Sequence, residues 1–154
     1  MLPKFHIFYG FIFALLVVVI YPVIGYSGFF AIWISSFLID FDHYLFYAFK
    51  KKDFNPFNSF KWFMEKHRRF MKLSRVERAK VGGIPCIFHG LELFIILLVL
   101  SFYQIFFIYI LIGIVFHQFL DFIHAIYYGG TLTHFGSQIF NIISYSNKSK
   151  FYSK

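Results

Sequence analysis

Two long stretches of this chain are almost without charge, and they restrict what it can fold into. Between Lys4 and Lys50 the only Asp, Glu, Lys or Arg are Asp40 and Asp42; between Lys80 and Lys148 they are Glu92 and Asp121. A helix needs about 20 predominantly apolar residues, at 1.5 Å of rise each, to cross the hydrocarbon of a bilayer. The hydropathy pattern predicts four such spans, from about Phe5 to Ile24, Phe29 to Phe49, Ile84 to Leu100 and Gln104 to Tyr128. Pro22 and Gly25 close the first, and Gly129-Gly130 ends the fourth, glycine being a common residue just past a helix C-terminus. The first run exceeds the apolar core of a secretory signal, about 7–15 residues, and Tyr21-Pro22-Val23-Ile24 lacks the small residues of a cleavage site, so it is expected to persist as a helix.

Composition agrees. The 154 residues are 59% hydrophobic and 14% charged, with 26 Phe and 11 Tyr, whereas a soluble domain carries about 25% charged residues. The expected fold is all-α: a polytopic membrane protein, a bundle of about four transmembrane helices with an interfacial amphipathic helix. The expected divisions are a transmembrane hairpin over residues 1–49, a basic loop over 50–83, a second hairpin over 84–128 and a tail over 129–154. Cys86 is the single cysteine, so no internal disulfide forms.

The placement of positive charge gives the orientation. Residues 50–83 hold Lys50, Lys51, Lys52, Lys61, Lys66, Arg68, Arg69, Lys72, Arg75, Arg78 and Lys80, and the remaining cations are Lys4, Lys148, Lys150 and Lys154. With an even number of spans these all fall on one side, which the positive-inside rule makes cytoplasmic. The protein is therefore expected in the cell membrane, multi-pass, with both termini and residues 50–83 in the cytoplasm. Within the loop, Phe57, Phe60, Phe63, Met64, Phe70 and Met71 recur at helical spacing opposite Lys61, Glu65, Lys66, Arg68, Arg69 and Lys72. This predicts a helix lying on the anionic headgroups of the bilayer. No nucleic-acid partner is expected, because no binding motif accompanies the charge.

The informative residues are the ionisable ones inside the spans. Span two carries Asp40, Asp42 and His43, span three His89 and Glu92, span four His117, Asp121 and His124, and span one opens with His6. A charged side chain at a helix centre costs about 2.5–3.5 kcal/mol, so such residues normally face the bundle interior and mark a working site. His117, Asp121 and His124 are spaced i, i+4, i+7 on one helical face, and His89 and Glu92 are three apart on another. Asp42 points away from Asp40 on a regular helix and needs a helix irregularity, or a neighbouring helix, to join the same cluster. Imidazoles mixed with carboxylates suit Zn²⁺, with Mn²⁺ or Fe²⁺ as alternatives, at one or two ions per chain.

These residues resemble the predicted membrane-bound metal-dependent hydrolases, the YdjM-like group, over spans one to four. That family is distantly similar to zinc-dependent phospholipase C and the S1/P1 nucleases, in which an N-terminal histidine, an aspartate and two His-x-x-x-Asp/Glu pairs bind metals. The resemblance implies that His6, Asp40, the His89/Glu92 pair and the His117/Asp121 pair take these places. Here Ile39 precedes the aspartate where the family has proline, and His89 and Glu92 are three rather than four residues apart.

The expected function is a membrane-embedded metal-dependent hydrolase acting on a phosphoester or phospholipid at the cytoplasmic leaflet. Its expected metal ligands are His6, Asp40, Asp42, His89, Glu92, His117 and Asp121, with Asp40 and Glu92 also catalytic and His43 and His124 orienting the ligands. The alternative from the same cluster is a proton or divalent-cation transporter. A third is a non-catalytic scaffold that recruits a partner through its basic loop.

Overall fold

The computed structural model describes residues 1–81, 86–130 and 135–141. Its regular elements are helices only, with no strand among the described residues. In chain order they are α1 (Pro3–Ile20), α2 (Gly25–Leu38), α3 (Phe41–Lys51), α4 (Pro56–Lys72), α5 (Arg75–Lys80), α6 (Leu91–Ser101) and α7 (Phe106–Tyr128), with 3-10 turns at Pro22–Ile24 and Ile87–His89.

Three segments are long and apolar enough to cross a membrane: Pro3–Ile20, Pro22–Lys51 and Phe106–Tyr128. They correspond to the first, second and fourth expected spans. In place of the third, expected from Ile84 to Leu100, stand the 3-10 turn and the 11-residue α6. Extended backbone at Gly90 (φ −90°, ψ 161°) delays the start of α6 to Leu91. Eleven residues of helix span about 16 Å, roughly half of the hydrocarbon thickness. Ile84 and the tail cations Lys148, Lys150 and Lys154 lie outside the described residues.

The chain divides into two compact units, one of Met1–Asp40 with Leu91–Ile123, the other of Phe41–Gly90 with His124–Lys154. In the first unit α1 packs along α2 and α7 through small residues and rings. A side chain at Gly113 of α7 would collide with Ile32 O and Ser35 Oγ of α2, and one at Gly10 of α1 with Ser36 Oγ. Glycine lets the backbones approach, the usual device for helices that associate in lipid. Phe13 and Phe116 stack with ring centroids 4.0 Å apart, and Trp33 Nε1–H donates to Ile7 O at 3.1 Å. The outer faces stay apolar: Phe8, Leu16, Val19 and Ile20 of α1 are exposed. A water-soluble surface rarely carries so continuous an apolar patch.

In the second unit Asp53 organises the turn from α3 to α4. Its carboxylate accepts from Tyr47 Oη at 2.6 Å, from the Asn55 N–H at 2.9 Å and from Asn58 Nδ2 at 2.9 Å. Asn55 then caps α4 by accepting from the Phe57 N–H at 2.9 Å, with Pro56 in the first turn, where its missing N–H costs nothing. Ser74 and Glu77 form a reciprocal capping box at the start of α5. On α4, Ser59 and Lys66 are buried while Phe57 and Phe60 are exposed. Burial, with Arg69, Lys51 and Lys50 adding repulsion, pushes the Lys66 ammonium below its ordinary pKa. Its Nζ lies over the Trp62 ring at 5.3 Å.

Candidate metal-binding site

The site of the first unit begins with a break in a helix. An α2 that continued would satisfy Ser36 O with the N–H of Asp40. The helix stops at Leu38 instead, and the Asp40 N–H bonds to Phe37 O at 3.2 Å. Ser36 O accepts from His117 Nδ1 of α7 at 2.8 Å. A carbonyl only accepts, so the proton of that imidazole is on Nδ1, and Nε2 faces the carboxylates as a lone pair in the neutral ring.

Two carboxylates and a second imidazole meet that nitrogen. His117 Nε2 is 3.6 Å from Asp40 Oδ1 and 3.3 Å from Asp121 Oδ2. Asp121 sits one turn beyond His117 on the same face of α7, as the i, i+4 spacing requires. The other oxygen of Asp121 is 3.2 Å from His6 Nε2 of α1 and 2.6 Å from the Met1 amino group. The His6 and His117 rings stack with centroids 3.9 Å apart, and both residues are 0% exposed. Neither ring nitrogen of His6 has a hydrogen-bond partner among the described residues.

His6, Asp40 and His117 each offer a ligand atom, all within 4.8 Å of one another. The donor set of two imidazoles and two carboxylates fits a borderline divalent cation such as Zn²⁺. The second nitrogen of His117 is held by a main-chain carbonyl, as is usual for metal-bound histidine. The orphaned nitrogens of His6 point the same way: buried polar atoms are rarely left unmatched.

Glu92 belongs to the first unit, half-buried in the first turn of α6. Asp42, His43 and His89 belong to the second unit, where they gather around a residue to which the sequence reading gave no role. Asp42 Oδ2 is 2.9 Å from His89 Nδ1 and accepts from the Phe88 N–H at 3.2 Å, while Oδ1 is 3.0 Å from His43 Nδ1. Cys86 Sγ is 3.1 Å from the same His43 Nδ1. Its signal was the spacing Cys86-x-x-His89, two ligand types three residues apart. His124, also in the second unit, lies against Tyr128 and His67 with ring centroids 4.5 and 6.4 Å away.

Comparison with protein-family models, with characterised proteins and with solved structures finds no match for this chain.

Proposed function

We propose that this chain is a membrane-embedded, metal-dependent hydrolase acting on a phosphoester or phospholipid at the cytoplasmic leaflet. The observation that carries the reading is the arrangement of His6, Asp40, His117 and Asp121, with Ser36 O fixing the His117 ring. A divalent ion held there would supply an activated water and polarise a phosphoryl oxygen. Asp121 has one oxygen toward each imidazole, 3.2 Å from His6 Nε2 and 3.3 Å from His117 Nε2. Asp40, 3.6 Å from His117 Nε2 and partly exposed, is the carboxylate assigned to take the proton of the attacking water. Glu92 is the second carboxylate that this reading assigns to the reaction.

The membrane arrangement belongs to the same proposal. Residues 86–101 would make the fourth crossing, which would place both termini and residues 50–83 on the cytoplasmic side. The exposed Phe57 and Phe60 support α4 as an interfacial helix that inserts rings among headgroups while its cations attract anionic lipid.

The test is the metal content of the detergent-purified protein, beside a His117→Ala/Asp121→Ala variant, with hydrolysis of phosphoester and phospholipid substrates. Bound transition metal that falls in the variant, and hydrolysis that is lost in it, are the expected result. Protein that stays free of metal after reloading, or that binds metal and moves it across proteoliposomes without hydrolysis, would overturn the reading in favour of a hydrogen-bonded core or of transport.

A further inference from the structure

The second unit holds a cluster that the hydrolase reading does not use. Its centre is Cys86 Sγ, His43 Nδ1 and Asp42 Oδ1, three ligand atoms within 4.8 Å of one another. Cys86 is 1% exposed and Asp42 2%. Asp42 Oδ2 is anchored between the Phe88 N–H and His89 Nδ1, whereas the buried Oδ1 has no hydrogen-bond partner among the described residues. The carboxylate is therefore turned so that its unmatched oxygen faces a nitrogen and a sulfur.

A nucleophilic cysteine is the obvious rival. In a Cys–His–carboxylate relay the thiol bonds one ring nitrogen and the carboxylate the other, so that a proton can cross the ring. Here Sγ and Oδ1 both approach the same nitrogen, Nδ1, at 3.1 and 3.0 Å. Three ligand atoms gathered within 4.8 Å of one another suit a shared cation. Ligands at about 2.0–2.3 Å from a tetrahedral zinc stand about 3.3–3.8 Å from each other; the two separations from Nδ1 are 3.1 and 3.0 Å, and Sγ and Oδ1 lie within 4.8 Å of each other. His43 is 35% exposed, which gives an ion a way in.

We infer that Asp42, His43 and Cys86 form a thiolate-containing site for a divalent cation of the zinc type, with ligands other than His6, Asp40, His117 and Asp121. His89 is a positioning residue: it holds Asp42 Oδ2 so that Oδ1 serves the ion. On binding, the Cys86 S–H bond breaks, sulfur binds the ion and the proton passes to solvent, with no change of oxidation state. A fourth position open to water or to a substrate sulfur or oxygen atom completes a tetrahedron.

Cobalt(II) is the probe, added to the full chain in detergent. Cys86 is the only thiol, so a thiolate-to-cobalt charge-transfer band reports on this site alone. The band is expected in the wild type and in His117→Ala/Asp121→Ala, which separates this inference from the hydrolase reading. Cys86→Ser is expected to abolish it. If that variant fails to fold, Asp42→Asn and His43→Ala keep the thiol and are expected to weaken the titration of the band by at least about tenfold. His89→Ala retains the band with cobalt binding about 10–100-fold weaker, the usual effect of losing a residue that orients a ligand. Folded wild type without the band at saturating cobalt, or a titration unchanged in both Asp42→Asn and His43→Ala, overturns the inference.

Discussion

His117 donates its Nδ1–H to the main-chain oxygen of Ser36 at 2.8 Å, and that oxygen is available because α2 ends before Asp40 can complete the next turn. One interruption of the backbone thus does two things. It turns Asp40 toward α7, and it fixes which nitrogen of His117 carries the proton. With Zn²⁺ bound, nitrogen-edited NMR of the histidine rings is expected to show His117 protonated at Nδ1 and bare at Nε2. A proton on Nε2 of His117 in the loaded protein contradicts the ligand assignment.

The same packing that forms the site makes it sensitive at Gly113. A methyl group there meets Ile32 O and Ser35 Oγ, and a main-chain oxygen cannot rotate away. Gly113→Ala is expected to destabilise the protein by about 1–3 kcal/mol, the range for overpacking a tight contact. It is also expected to weaken metal binding, since His117 lies one turn further along α7. Gly130→Ala is the control: its methyl would find Ala125 at 3.6 Å or more, an ordinary contact, and stability should change by less than about 0.5 kcal/mol. Equal loss in the two variants, measured by thermal unfolding in detergent, would remove the close approach as the cause.

What the sequence could reveal followed from period and charge. The uncharged runs around Phe11–Ile20 and Phe106–Gly113 announce membrane-length helices, and these form. His117 and Asp121, four apart, had to share a face whatever the tertiary structure. The interruption at Ile39–Asp40 was legible only as a difficulty, because Asp40 and Asp42 cannot point the same way on a regular helix. Where the break falls depends on which oxygen His117 captures, a contact across 81 residues that no local pattern encodes. The shortness of α6 was hidden for a related reason: hydropathy does not distinguish Ile87-Phe88-His89 as a 3-10 turn from the same residues in an α-helix. Buried Lys66 runs against its own charge pattern: Lys61, Glu65, Arg68, Arg69 and Lys72 of the polar face are exposed, and on the apolar face Phe57 and Phe60 are exposed while Phe63, Met64, Phe70 and Met71 are partly buried.

Arg78 shows how the second unit closes the end of α7. Its Nε donates to Leu73 O at 3.0 Å, Nη2 to Met71 O at 2.8 Å and Nη1 to Tyr128 O at 3.1 Å. Met71 O and Leu73 O lie at the end of α4 and Tyr128 O at the end of α7, where carbonyls lack helical partners and a cation is favoured. Arg78→Ala is expected to lower stability by about 2 kcal/mol, within the range for charge-assisted hydrogen bonds. Arg78→Lys should recover less than half, because an ammonium cannot reach three carbonyls in the plane of a guanidinium. Full recovery by lysine in denaturant titrations would mean that charge alone is at work.

Asp53 supplies the pH dependence. The Tyr47 hydroxyl, then the Asn55 N–H and Asn58 amide, hold its carboxyl below the usual carboxylate range. A group whose folded pKa is depressed gives stability that is complete above the unfolded value, about 3.9, and is lost as pH falls through the folded one. The wild type is therefore expected to lose stability on acidification below about pH 4. Asp53→Asn keeps similar shape but offers a weaker acceptor to Tyr47 and sets its amide against the donors. It should be less stable at neutral pH and show a flatter response in the acid window, so that the two curves approach each other as pH falls. Melting curves in detergent across that range decide it: parallel curves would mean that the turn between α3 and α4 does not depend on the charge of Asp53.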